Sequence, residues 1–170
     1  LHDAFTAALP FALTAAQQRV CQEIAADLAR PHPMNRLLQG DVGSGKTIVA
    51  ALAALAAIES GMQAAVMAPT ELLAEQHRRS FERWFAPLGV EGVWLSSRIK
   101  GKAREAALAR LAQGAPWAVG THALMQDAVA FRKLGLVIID EQHRFGVHQR
   151  LALRDKGADA EFVPHQLVLT

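Results

Sequence analysis

Residues 40 to 47 read Gly-Asp-Val-Gly-Ser-Gly-Lys-Thr, which fits G-x-x-x-x-G-K-[ST] at every position. Each residue type has a chemical reason to be there. Gly40, Gly43 and Gly45, with Ser44 between them, let the backbone wrap so that several N–H groups point at phosphate oxygens. A helix starting at Lys46 would turn the positive end of its dipole toward the same anion. Lys46 would reach β- and γ-phosphates, and the Thr47 hydroxyl would ligate Mg²⁺. The bland alternative is a tight strand-to-helix turn with a solvated lysine.

A second constellation lies about ninety positions downstream. The apolar run Leu136-Val137-Ile138-Ile139 ends in Asp140-Glu141. A buried strand that delivers two acids to its carboxyl edge is a Walker B arrangement. Asp140 would join the Mg²⁺ shell and Glu141 would orient or deprotonate an attacking water. Neighbouring side chains diverge, which suits two separate jobs. Taken alone, Asp140 also fits a strand-end residue capping the next turn. The two motifs together predict Mg·ATP or Mg·GTP chemistry and leave open what the energy is used for.

The surrounding elements must bring these groups together. Leu13 to Ala29 reads as a helix with Thr14 as N-cap, an apolar face at Val20, Ile24 and Leu28, and a stop at Pro31 and Pro33. From Met34 onward, short apolar runs alternate with helices. Leu37-Leu38-Gln39 ends the first strand, and a helix from about Lys46 to Glu59 closes on Gly61. Ala64 to Ala68, Gly92 to Leu95, Trp117 to Val119, Leu136 to Ile139 and Gln166 to Leu169 follow as strands. Between them, helices span Pro69-Thr70 to Phe85, with Leu73, Phe81 and Trp84 inward, and Lys102 to Ala112, with Leu108 and Leu111 inward. Strands without polar alternation, each followed by a helix, predict a parallel sheet covered on both faces. Ligands then gather at the carboxyl ends of the strands. Trp84, Trp94 and Trp117 each lie in an apolar stretch and read as core rather than as base-stacking platforms.

The 170 residues fit one domain, with 51% hydrophobic and 20% charged residues. No run of about 18 apolar residues predicts a membrane span. The single cysteine, Cys21, permits no internal disulfide and fits a reducing, cytoplasmic setting. No Cys/His cluster has zinc spacing. A net charge of +2 is too small to announce a nucleic-acid binder. The chain begins with Leu1 rather than Met, which suggests a segment of a longer protein.

Other blocks narrow the reading. Asp140-Glu141-Gln142-His143 is similar to the DEAD/H box of superfamily 2 helicases. Phe11 to Gln17 resembles the Q motif of that superfamily, Ala68 to His77 its motif Ia, and Val119 to Leu124 a further DNA-contacting motif. With Arg144-Phe145-Gly146 and the tail Pro164 to Thr170, the whole chain resembles the RecG family of bacterial ATP-dependent DNA helicases. The alternative is a transcription-repair coupling translocase, whose box usually reads D-E-E-H; Gln142 and Ser44 favour RecG. A P-loop kinase, a transport ATPase or a non-catalytic ATP-dependent switch would lack this ordered set or would not need Lys46, Thr47, Asp140 and Glu141 intact.

The resemblance implies a three-layer, RecA-like P-loop domain with a mainly parallel sheet, spanning residues 1 to 170 as the first of two motor lobes and cut short at its C-terminus. It implies ATP and Mg²⁺ as cofactors, and branched DNA such as replication forks and Holliday junctions as partner. A second lobe would bring the arginine finger, and a separate wedge domain lies outside this chain. It implies that Gln17 reads the adenine edge, because an amide has a donor and an acceptor for N6 and N7. His143 would link the γ-phosphate site to the DNA side. From the residues alone, Gln17 is a solvent-facing helix glutamine and His143 a hydrogen-bonded turn histidine. Pro69, Thr70, Glu71, Gly120, Thr121 and His122 would meet DNA phosphates, with helix capping and a tight turn as the alternative, and Arg144 would pair with DNA or the second lobe. Arg98, Lys100, Lys102 and Arg104 fit either the DNA backbone or a solvated helix start. The expected setting is the bacterial cytoplasm, no membrane is involved, and a monomer is favoured.

Overall fold

The computed structural model describes residues 2–9, 11–40, 45–126, 128–140 and 164–170. Two helices, α1 (His2–Ala8) and α2 (Ala15–Leu28), come before the first strand. The chain then alternates through β1 (Asn35–Leu38), α3 (Lys46–Glu59), β2 (Gln63–Met67), α4 (Glu71–Phe85), β3 (Val93–Leu95), α5 (Gly101–Gln113), β4 (Trp117–Gly120), β5 (Leu134–Asp140) and β6 (His165–Leu169). All six strands join one sheet in the order β1-β6-β5-β2-β4-β3, and every pairing is parallel.

The order explains where the helices go. α3 and α4 carry the chain across the sheet in one direction, and α5 carries it back. Crossovers of constant hand then place these helices on opposite faces. The two apolar cores show this division. One joins the inward sides of α1 to α4 to Val66, Val119, Leu136 and Ile138. The other joins Leu111 of α5 to Met67, Leu95, Val137 and Ile139. Leu136 and Ile138 face one core while Val137 and Ile139 face the other, as the two-residue period of a strand requires. β5 is buried along its whole length, which explains its unbroken apolar run.

Local signals set most element ends. Thr14 caps α2 through a full capping box: its hydroxyl accepts from Gln17 N, and Gln17 Oε1 accepts from Thr14 N. Thr70 caps α4 by accepting from Leu73 N. Gln63, 3% exposed at the start of β2, is a buried amide with all its needs met. It donates to the carbonyls of Leu111 and Ala115 and accepts from Lys133 N.

Three features differ from the sequence reading. α1 was not anticipated; its fold depends on docking Phe5 against Trp84 and Phe85, a contact about eighty residues away. The fully buried face of α4 is Ala74, His77, Phe81 and Phe85, of which only Phe81 was expected; Leu73 and Trp84 pack against the core margin as expected. β1 lies at a sheet edge, so Asn35 and Leu37 are exposed rather than covered on both faces. The tryptophans are core or core-margin residues as expected: Trp117 packs edge-on to Phe81 and Phe85, and the Arg78 guanidinium lies over Trp94.

Candidate nucleotide-binding site

Because all strands are parallel, their carboxyl ends share one edge of the sheet. Along that edge stand Gly40 after β1, Thr170 after β6, Asp140 ending β5, Pro69 and Thr70 after β2, and Gly120 ending β4. Backbone bonds fix this line. Gly40 N donates to Thr170 O, Thr170 N donates to Leu38 O, and Ala68 N donates to Gly120 O. Asp140 is in register with Leu169.

Lys46 opens α3 at the β1 end of this edge. Its Nζ donates to the carbonyls of Gly40 and Thr170, each at 2.8 Å. The ammonium therefore bridges the ends of β1 and β6, one strand away from Asp140. Thr47 follows on the first turn of α3 and is half-buried. Gly45, just before the helix, has φ +85°, a left-handed conformation that a side chain disfavours. A Cβ there would lie 2.1 Å from Gln17 Nε2. Gln17 thus lies against the end of the glycine loop, its amide oxygen turned to Thr14 N by the capping box. Gln17, Gly45 and Lys46 line one shallow cavity, and Gln17, Gly45 and Thr47 line the next, beside Phe11 and Trp84.

Asp140 is 5% exposed, and its Oδ2 lies 2.8 Å from His77 Nε2 on α4. Sequence reading placed His77 inside motif Ia without giving it a role. The only signal was a histidine on an otherwise apolar helix face, and that pattern does not name a partner. Among the described residues, the expected oxygen ligands are a hydroxyl, Thr47 on α3, and a carboxylate, Asp140 at the edge. That set suits magnesium, which takes one or two protein oxygens beside phosphates and water.

The other expected contacts divide. Thr70 is exposed and its hydroxyl serves the α4 cap. The Glu71 carboxylate accepts from Ser97 N and Ser97 Oγ, tying α4 to the turn after β3. Pro69 is half-buried and His122 exposed. Gly120 is buried because a Cβ would lie 2.2 Å from the Leu95 carbonyl oxygen. Thr121 is 2% exposed, and its hydroxyl has no partner among the described residues. Arg104 bonds Gln126, whereas Arg98, Lys100 and Lys102 are exposed. Gly43, Ser44, Glu141, His143 and Arg144 lie outside the described residues.

The model of the DEAD/DEAH box helicase family matches residues 14–169. The chain belongs to that family. Over 171 aligned residues it is 60% identical to the ATP-dependent DNA helicase RecG of Haemophilus influenzae, covering 100% of this chain and 25% of that protein. It spans about a quarter of the length of the curated relatives it matches. A structure of RecG bound to a three-way DNA junction superposes with a TM-score of 0.85 at 45% identity, covering 98% of this chain and 22% of the other. The yeast DEAD-box splicing factor Prp28 superposes with a TM-score of 0.74 at 16% identity, covering 98% of this chain and 42% of the other, a likeness of fold. Among the described residues, no helix is long and apolar enough to cross a membrane.

Proposed function

We propose that this chain is the ATP-binding lobe of a bacterial DNA helicase or translocase that couples Mg·ATP hydrolysis to the remodelling of branched DNA in recombination and repair. The observation that supports the reading is the single sheet edge that carries Lys46, at the ends of β1 and β6, and Asp140, at the end of β5, with Thr47 beside Lys46 on α3. Its second support is the likeness to RecG, a protein solved on a three-way DNA junction.

The residues divide the work. The loop from Gly40 to Gly45 offers backbone N–H groups to phosphates, and Lys46 exchanges its two carbonyl partners for phosphate oxygens. Gln17, held by its capping box, presents its amide to the adenine edge. Thr47 and Asp140 are the protein ligands for magnesium, which when bound neutralises charge on the β- and γ-phosphate oxygens. In this reading Glu141 has the role of orienting the attacking water, His143 that of linking the γ-phosphate site to the DNA side and a second lobe, and Arg144 that of pairing with DNA or that lobe. That lobe supplies an arginine finger, worth about 10³–10⁵ in rate in such enzymes. The far end of the edge, from Pro69 to Glu71 and from Gly120 to His122, follows the DNA backbone. Contacts of this kind track a strand without reading its sequence. In this reading residues 1–170 form one motor lobe of a bacterial cytoplasmic protein, monomeric as a default, and the lobe alone turns over very slowly.

The test is ATP turnover by the longer protein that carries this segment, with three-way junction, single-stranded and duplex DNA at rising salt. Strong, salt-sensitive stimulation by the junction is the expected result. Equal turnover with and without every DNA would remove the motor reading.

A further inference from the structure

His77 sits on the inward face of α4, with Ala74, Phe81 and Phe85. It is 7% exposed. A polar ring on such a face is costly unless it has a partner. The partner is Asp140, which comes from β5, 63 positions further along the chain. A carboxylate that serves as a metal ligand has no proton to give, so in that role Asp140 Oδ2 accepts and His77 Nε2–H donates.

We infer that His77 is the positioning residue for the metal-binding carboxylate of Asp140, and that through it the site is tied to α4. The inference rests on the assignment of Asp140 as a magnesium ligand. A carboxylate at the end of a strand can rotate about two side-chain bonds. Its backbone is fixed, because β5 is paired on both sides, with Met67 beside Ile139 and Leu169 beside Asp140. What remains to be set is the plane of the carboxylate, and a bond to one oxygen from a ring packed in the core constrains it. Groups that orient a metal ligand from behind typically change metal affinity by about 10–100-fold.

The same bond has a mechanical consequence. α4 begins at the carboxyl edge, where Thr70 caps it and Glu71 grips the turn at Ser97. His77 follows within two turns of that start. The His77–Asp140 bond therefore links the end of β5 to the first two turns of α4, whose start is the segment proposed to meet DNA.

The test measures the Mg²⁺ concentration that half-saturates binding of a fluorescent ATP analogue to the intact chain. His77→Ala should raise that concentration about tenfold, with binding in the absence of Mg²⁺ unchanged. His77→Gln, which keeps an amide donor, should return part of the way to wild type. Asp140→Asn is the reference and should shift at least as far as His77→Ala. A normal Mg²⁺ requirement in His77→Ala beside a shifted Asp140→Asn overturns the inference and leaves the nucleotide site standing. If Asp140→Asn also behaves as wild type, the assignment of Asp140 has failed and the inference falls with it. Should His77→Ala not fold by circular dichroism, His77→Leu fills the same space without a donor and is read the same way.

Discussion

Lys46 Nζ donates to the carbonyl of Thr170 at 2.8 Å, joining residues 124 positions apart at the carboxyl edge of the sheet. Because Leu169 is in register with Asp140, that one bond brings Lys46, proposed to bind phosphate, within a strand of Asp140, proposed to hold magnesium. Neighbouring strands in a sheet lie about 4.8 Å apart, so the ends of β6 and β5 stand side by side on this edge. The predictions below follow from this edge and from the elements that hold it.

Gly45→Ala should destabilise the fold and weaken ATP binding. A side chain in the left-handed region costs about 1–2 kcal/mol, which for a domain of this size lowers the melting temperature by about 2–8 °C. The added Cβ also displaces the Gln17 amide and opens the α2 capping box. In a Gln17→Ala background the steric part should vanish and the backbone part persist. Thermal melts of the two single variants and the double variant separate the terms.

Gly120→Ala tests whether this glycine is a packing residue. Its Cβ would meet the Leu95 carbonyl oxygen, a backbone atom that moves only if β3 moves. Overpacking of this kind costs about 1–3 kcal/mol, read as a lower urea midpoint. Unchanged stability would return Gly120 to a contact role alone.

Much of this was legible in advance because it is local. The start of α3 at Lys46, the Thr14 and Thr70 caps, and the apolar runs that became β2, β4 and β5 all depend on residues within a few positions. What was not legible depends on distant partners. α1 has little apolar surface of its own and is held by Phe5 on Trp84. Gln63 looks like an ordinary polar strand start until its three backbone partners are seen. The His77–Asp140 bond joins a helix and a strand that neither motif connects. The exposure of β1 follows from strand order, which a run of apolar residues does not encode.

His165 makes stability depend on pH. Its Nδ1 accepts from Met34 N at 2.7 Å, and the residue is buried at the start of β6. Burial lowers its pKa from the ordinary 6.5, and Asp27 offsets part of that shift. The unfolded chain therefore takes up the proton first as pH falls. The stability from this site is present above about pH 6.5 and is lost as pH drops toward the folded value. His165→Asn keeps an acceptor and does not titrate. Its melting temperature should fall less between pH 7.5 and 5 than that of the wild type.

Glu141→Gln, made in the longer protein, should keep ATP binding and lose about 10²-fold or more in turnover, the usual contribution of a positioned base. Steady-state ATPase rates beside nucleotide titration give both numbers. Unchanged turnover would take Glu141 out of the reaction.

The most direct measurement is a calorimetric titration of Mg·ATP into the wild-type chain and Lys46→Ala, with circular dichroism on both. Lys46 is half-buried, and its partners are two strand-end carbonyls, so its removal should leave the fold intact and abolish the binding heat. A folded Lys46→Ala that binds Mg·ATP as tightly as the wild type would contradict the nucleotide site.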